Sequence, residues 1–310
     1  MPTPLPDGAW PVMLTPFRAD RSIDWEQVEA YADWLVDLGS AGVFTVALSS
    51  EMYDLTPVER LELAGRVVGA VDGRVPVIAS AVGGSVDEIA ESAAGLAEAG
   101  VTAAVLVSPL LATPDEPDSE WIRTAEQILD RVPGLDFGVY ECPVPYKRLL
   151  TLETVRWMSG TGRFTFFKDT SHRADVMAAR IDVLAGSPLR HYNAEISSLV
   201  ESLGAGGAGF SGYAANIYPE LVAWLCANHA TAPQEEVATV QQVLSIAEHS
   251  INARYPSSAK FFLAHSSRLT MSSVSRWKPE GIGPHEGQPL IDLARYLEGA
   301  GLPALTPGRR

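Results

Sequence analysis

Lys168 closes the run Phe164-Thr165-Phe166-Phe167, so a buried strand there would put its amine at the end of an apolar segment. Desolvation disfavours the ammonium form and lowers a lysine pKa. A neutral amine attacks ketones near neutral pH, and the iminium that results is an electron sink for making or breaking a carbon bond. Position alone does not demand this chemistry, because a lysine that ends a strand and extends its head to water accounts for the same residue. Tyr140 ends the preceding strand-like run from Asp136. On neighbouring strands its phenol and the amine share a face, where a phenol can shuttle protons; a rim tyrosine with a wet hydroxyl is the plainer alternative. Ser49 and Ser50 offer hydroxyls to a substrate carboxylate, or bond the backbone of their own turn. Glu51 is read as an acid or base, or else as a solvated charge or cap. Cys142 lacks a histidine placed to activate it and is expected to be a packed thiol.

These residues need strands that end together. Short apolar runs followed by helical periodicity recur along the chain. The strands are expected at Ala9–Leu14, Gly42–Ala47, Val75–Ser80, Ala103–Val107, Asp136–Tyr140, Phe164–Lys168, Arg190–Asn193 and Gly209–Ser211. The intervening helices are expected at Trp25–Leu38, from Pro57 to about Val71, from Ser85 to Gly100, Ser119–Arg131, from Thr151, Ala174–Ala185, Ile196–Leu203 and Pro219–Asn228. Thr56-Pro57-Val58-Glu59 is a capping box with proline at the first helical position, and Gly39 and Gly100 suit helix C-termini.

Eight strand-then-helix units imply parallel strands with right-handed crossovers, and eight closes a barrel. An open doubly wound sheet has the same periodicity, but no linker splits the units into halves. The expected fold is therefore an α/β protein, a (β/α)₈ TIM barrel over residues 1–230. Helical patterns at Gln234–Asn252, Ser257–Ser267 and Gly287–Leu297 make residues 231–310 a C-terminal helical extension of the same domain. In such a barrel the active site lies at the C-terminal strand ends, which brings Ser211 and Gly212 into the candidate set.

Of the 310 residues, 46% are hydrophobic and 20% charged, an ordinary globular balance, and the formal net charge is −15. That surface repels phosphate backbones and anionic headgroups, so nucleic acid is not an expected partner, and an anionic substrate needs a local pocket that overrides the field. Two cysteines give neither a disulfide framework nor a metal-binding pair, and the six histidines show no ligand spacing. No cofactor and no metal is expected. The Pro-rich start lacks a signal-peptide pattern, and no run reaches about 18 apolar residues, which points to the cytoplasm and away from membranes. Gly204-Ala205-Gly206-Gly207-Ala208-Gly209 matches a dinucleotide fingerprint but follows a helix and precedes a strand, the reverse of that motif. It is read as a loop. His172 is placed at the start of a helix.

Taken in order, Pro11-Val12-Met13-Leu14-Thr15-Pro16-Phe17, Ser49-Ser50-Glu51, Tyr140 to Pro143, Phe167-Lys168-Asp169-Thr170-Ser171, and Ser211-Gly212 with Asn216 resemble the dihydrodipicolinate synthase and N-acetylneuraminate lyase family of Schiff-base aldolases, over roughly residues 8 to 300. The resemblance implies that Lys168 is the Schiff-base lysine and Tyr140 the proton-relaying phenol. It also implies that Ser49 and Ser50 lie in the loop holding the keto-acid carboxylate, that Ser211-Gly212 lines the same pocket, and that the assembly is a homo-oligomer, a dimer or tetramer.

Departures from the family pattern bear on the substrate. The family's first loop hydroxyl is Leu48 here, the synthase's partner-donated tyrosine falls on Leu110 or Leu111, and its arginine after strand five falls on Pro145. Lys147 and Arg148 follow, either supplying that charge or forming a basic loop. The resulting expectation is a lyase or aldolase acting on pyruvate or a 2-keto-3-deoxy acid together with an aldehyde less charged than the synthase substrate. Dihydrodipicolinate synthase, a sugar-acid dehydratase and a non-catalytic keto-acid-binding barrel are the alternatives.

Overall fold

The computed structural model describes residues 3–266, 268–303 and 305. Met1 and Pro2 of the Pro-rich start, Ser267 at the end of an expected helix, and the last residues of the expected 231–310 extension lie outside them. Among the described residues eight parallel strands form one sheet in the order β1-β8-β7-β6-β5-β4-β3-β2. They are β1 Gly8–Ala9, β2 Val43–Thr45, β3 Val77–Ala81, β4 Ala103–Val107, β5 Asp136–Tyr140, β6 Phe164–Asp169, β7 Arg190–Asn193 and β8 Gly209–Phe210. A parallel bridge between Val12 and Phe44 joins the first strand to the second and closes the barrel.

The helices α1 Trp25–Asp37, α2 Pro57–Val71, α3 Val86–Glu98, α4 Asp118–Arg131, α5 Leu152–Thr161, α6 Ala174–Val183, α7 Leu199–Gly204 and α8 Pro219–Asn228 follow the strands in turn. The Thr56 cap forms as expected: its hydroxyl accepts the Glu59 N–H while the Glu59 carboxylate takes the Thr56 N–H. Gly39 and Gly100 end their helices with φ of 91°.

The structure departs from expectation at the first strand and at the seventh helix. The strand Ala9–Leu14 pairs with β8 only at Gly8 and Ala9. Pro11 has no N–H to give, so the chain switches partners: the Pro11 carbonyl takes the Phe44 N–H, and the Met13 N–H goes to the Phe44 carbonyl. The helix expected over Ile196–Leu203 is a 3₁₀ turn at Ile196–Ser198 followed by α7, because the Glu195 side chain caps the Ser197 N–H and tightens the first turn.

Inside the barrel, aromatic rings fill the layer below the strand ends. Phe166 stacks on Tyr192 with centroids 4.6 Å apart, and Trp10 and Phe44 pack on Phe166 at 5.4 and 5.7 Å. Glycines supply the room. A Cβ on Gly42 would lie 2.3 Å from the Trp10 indole, and one on Gly138 would meet the Phe166 Cβ at 3.0 Å. The interior is packed rather than open, so chemistry is confined to the rim.

Three further helices follow, α9 Gln234–Asn252, α10 Ser257–His265 and α11 Pro284–Gly299. α11 starts before the expected Gly287, because Pro284 fits the first helical position and the Glu286 carboxylate returns to the Gly283 N–H. The extension is fastened to the barrel by a buried ion pair: Lys260 Nζ of α10 lies 2.6 Å from Glu51 Oε1, both side chains 0% exposed. Glu51 Oε2 accepts from the Ser275 hydroxyl and from the Arg276 and Trp277 N–H groups. Glu51 is thus neither a solvated charge nor a free acid or base. Removing one partner of such a pair strands a buried charge. Lys260→Met is expected to lower stability by about 3–5 kcal/mol in urea unfolding, with part of the loss recovered in the Glu51→Gln, Lys260→Met double variant.

Candidate active site

β5 and β6 pair with Tyr140 opposite Lys168. Successive strand residues face opposite sides, so Phe166 and Lys168 point inward while Phe167 and Asp169 point to the helical layer. The Lys168 amine ends 4.7 Å from the centroid of the Tyr140 ring. Lys168 is 4% and Tyr140 5% exposed. Burial, opposed by the charges of Cys142 and Glu248, lowers the Lys168 amine to about 7. Burial likewise raises the Tyr140 phenol well above its ordinary range, with Cys142 adding to the effect. The pair at neutral pH is therefore an amine with a large uncharged fraction beside a phenol that keeps its proton.

The outward neighbours of this pair are locked. Arg180, from the middle of α6 and 2% exposed, reaches Glu141 Oε1 at 2.7 Å and Asp169 Oδ2 at 2.7 Å. It also donates to the Leu150 carbonyl, and its guanidinium lies 5.3 Å from the centroid of Phe167. His191 Nε2 meets Asp169 Oδ2 at 3.0 Å. Burial acts to raise Asp169, but the hydrogen bond to His191 and the Arg180 charge outweigh it and hold the carboxyl far below the usual range. Glu141 goes the other way: burial, joined by the Asp169 charge, lifts it to about 7 against the pull of Arg180.

The turn after β2 is tightly bent. Val46 has φ 49° and Glu51 φ 61°, left-handed values that are costly for a β-branched residue. Between them Ser50 is fully buried, and its hydroxyl donates to the Met13 carbonyl at 2.6 Å and accepts the Ala47 N–H at 2.9 Å. Its side chain thus holds the turn. The Ser49 hydroxyl shares a hydrogen bond with the Tyr255 phenol, which also accepts from Asn216 Nδ2 at 2.8 Å. Asn216 Nδ2 in turn reaches the Val12 carbonyl at 2.7 Å. At the end of β8 the Ser211 hydroxyl is buried with no partner among the described residues. A Cβ on Gly212 would fall 2.4 Å from the Phe210 ring and 2.9 Å from the Ala194 carbonyl, so no larger residue fits that turn.

On one side of the mouth lies a mostly apolar cleft of about 340 Å³, lined in part by Leu48, Tyr53, Leu110, Val144, Pro145 and Trp277. Its Tyr53 phenol hydrogen-bonds the Cys142 thiol, which also bonds the Tyr140 phenol and is itself pushed up by burial. A larger groove of about 680 Å³ lies between α1 and α2, away from the strand ends. Arg148 brings no charge to the mouth: it is 7% exposed and bound to Asp118 at 2.7 Å and to the Thr113 and Glu116 carbonyls. Lys147 is exposed. His172 precedes α6, and its Nδ1 meets Glu195 Oε2 at 2.6 Å.

Sequence reading did not single out Arg180, Tyr53, Tyr255 or Glu248. Arg180 sits mid-helix with no motif, and the other three come from loops or helices that carry no strand-end signal. Among the described residues no group of three or more His, Cys, Asp or Glu side chains is placed to hold a metal ion, and no helix is long and apolar enough to cross a membrane.

The profile of the dihydrodipicolinate synthetase family matches residues 6–268. A 4-hydroxy-tetrahydrodipicolinate synthase of Marinobacter nauticus is 26% identical over 238 residues, 76% of this chain and 80% of that one. An uncharacterized DapA-like lyase of Halobacterium salinarum is 30% identical over 220 residues, 70% of each chain. Among solved structures, YagE, a prophage protein of the dihydrodipicolinic acid synthase family from E. coli K12 in complex with pyruvate, superposes with a TM-score of 0.85 at 22% identity, covering 94% of this chain and 98% of that one. The chloride-inhibited dihydrodipicolinate synthase of Acinetobacter baumannii, complexed with pyruvate, gives 0.83 at 20%, covering 96% and 99%. These two likenesses establish the barrel fold.

The amine itself is open to measurement. With ¹³C-labelled lysine, the Lys168 Cε resonance is expected to titrate near pH 7, losing its proton as pH rises.

Proposed function

The chain belongs to the dihydrodipicolinate synthetase family, and from that premise we propose that it is a Schiff-base-forming lyase or aldolase acting through Lys168 on pyruvate or a 2-keto-3-deoxy acid. The observation that carries the proposal is the buried Lys168 amine, brought to about 7 by desolvation, in register with Tyr140. The uncharged amine attacks the C2 carbonyl, the carbinolamine loses water, and the iminium stabilises the electron pair left when a proton or an aldehyde departs from C3. The reverse sequence forms the bond. Tyr140 carries protons between the bound acid and its surroundings, supported by a phenol that burial keeps protonated.

In this reading Ser49, Ser50, Ser211 and Gly212 form the carboxylate end of the site. Ser50 acts by shaping the turn, since its hydroxyl already bonds Met13 and Ala47. The buried, unpartnered Ser211 hydroxyl supports a polar ligand at that end. Leu48, Leu110 and Pro145 line the opposite cleft, and Arg148 is held by Asp118. That lining favours an acceptor aldehyde without a second carboxylate. The relatives' name supplies the second reading, 4-hydroxy-tetrahydrodipicolinate synthase; the cleft's lack of a free cation argues against it. Assembly as a homo-oligomer, and the treatment of residues 1–230 and 231–310 as one domain fastened at Glu51 and Lys260, belong to the same proposal.

Incubation with pyruvate and borohydride is expected to add one reduced pyruvate adduct to the intact mass. Lys168→Ala abolishes it, and Tyr140→Phe slows its formation by roughly 10²-fold or more. An adduct that persists in Lys168→Ala, or none in the wild type, rules the proposal out.

A further inference from the structure

Across the mouth from the apolar cleft stands a polar wall that the imine chemistry does not use. Glu248 projects from α9, which packs against the 3₁₀ turn Tyr213–Asn216 after β8 and the turn Ile196–Ser198 after β7. It is 6% exposed. Its carboxyl takes the Ala214 N–H, yet Oε2 has no hydrogen-bond partner among the described residues. An unmade hydrogen bond on a buried oxygen is costly unless a ligand completes it. The Ala214 N–H that it accepts belongs to the turn after β8, and the Coulomb interaction of the carboxyl extends to the Lys168 amine and to the phenols of Tyr213 and Tyr255. Tyr255 is the phenol bonded to Ser49 and Asn216, and its ring lies 4.6 Å from that of Tyr213. Burial, with the Glu195 charge adding to it, lifts the Glu248 carboxyl to about 8. Near neutrality it is mostly a neutral acid, with an O–H to donate and no charge to repel an anionic keto acid.

We propose that Glu248 is a specificity-determining residue of the site, its free oxygen hydrogen-bonding a hydroxyl on the substrate chain beyond the imine carbon, so that hydroxylated 2-keto-3-deoxy acids bind in preference to their deoxygenated counterparts. The inference rests on imine formation at Lys168. It accords with the mostly apolar cleft opposite, whose lining holds Glu51 and Asp54 but no lysine or arginine: an acceptor with hydroxyls and no second carboxylate satisfies both walls.

The test compares 4,5-dihydroxy-2-oxopentanoate with 2-oxopentanoate, reading the half-saturating concentration for borohydride trapping by intact mass. The pyruvate adduct left by any cleavage is counted with the hydroxylated acid. The wild type is expected to favour the hydroxylated acid by about tenfold or more, since a buried polar group matched to a hydroxyl penalises the analogue that lacks it. Glu248→Met brings the ratio to within about twofold of unity, and Glu248→Gln, which can still accept from Ala214 and donate to a hydroxyl, retains the preference. No preference in the wild type, a preference that survives in Glu248→Met, or an equal weakening of both acids overturns the inference. Pyruvate trapping in the wild type is the separate arm: its absence removes the imine reading itself, whereas trapping without selectivity removes only the role of Glu248.

Discussion

Arg180 holds the two carboxylates that follow Tyr140 and Lys168 in sequence, and the geometry of the mouth depends on that contact. Because side chains alternate along a strand, the residue after each inward-facing group must point outward. Glu141 and Asp169 therefore enter the layer between sheet and helix, where unpaired carboxylates are costly. One guanidinium on α6 meets both, with Glu141 and Asp169 fully buried. The strand ends are tied together from behind, which reinforces the β5–β6 ladder that pairs Tyr140 with Lys168. Rigid support of this kind is what holds reacting groups in a productive arrangement.

The electrostatics of the mouth follow from how cations are distributed. A chain with net charge −15 meeting an anionic ligand calls for local compensation. Arg180 faces Glu141 and Asp169, Arg148 faces Asp118, and Lys260 faces Glu51. Lys168 stands at the centre, with a large uncharged fraction at neutral pH. In the proposed chemistry the positive charge arises with the iminium, next to the carboxylate of the acid it has captured. In the same proposal the strand-end hydroxyls hold the acid before that.

The two walls of the mouth come from different parts of the chain. The apolar wall belongs to the loops after β2, β4 and β5 together with Trp277. The polar wall belongs to the turns after β7 and β8 and to α9. Glu51 fastens the C-terminal segment to the apolar wall, since the same carboxylate that ends the β2 turn receives Lys260 and the backbone of Arg276 and Trp277. The C-terminal helices are thereby part of the rim.

Local signals in the sequence settled the repeating unit. The capping box at Thr56, the glycines after α1 and α3, and the apolar runs ending at Val107, Tyr140 and Lys168 are short-range features whose physics acts within a few residues, and the structure has them where the sequence puts them. The strand-end rule then brought Lys168 and Tyr140 to one face. Contacts across long sequence separations carry no such signature. Arg180 reads as an ordinary helical arginine until α6 packs behind β5 and β6. Glu51 reads as a loop charge until a lysine 209 residues away meets it. Ser50 reads equally as a carboxylate ligand or a turn hydroxyl until Met13 and Ala47 take it, and Glu248 reads as a helix-surface acid until α9 closes over the strand ends. Residue type and local pattern determined which groups could react; only tertiary packing decided which were already spent on structure and which remained open to a ligand, because hydrogen-bond satisfaction and desolvation depend on neighbours that the order of the chain does not reveal.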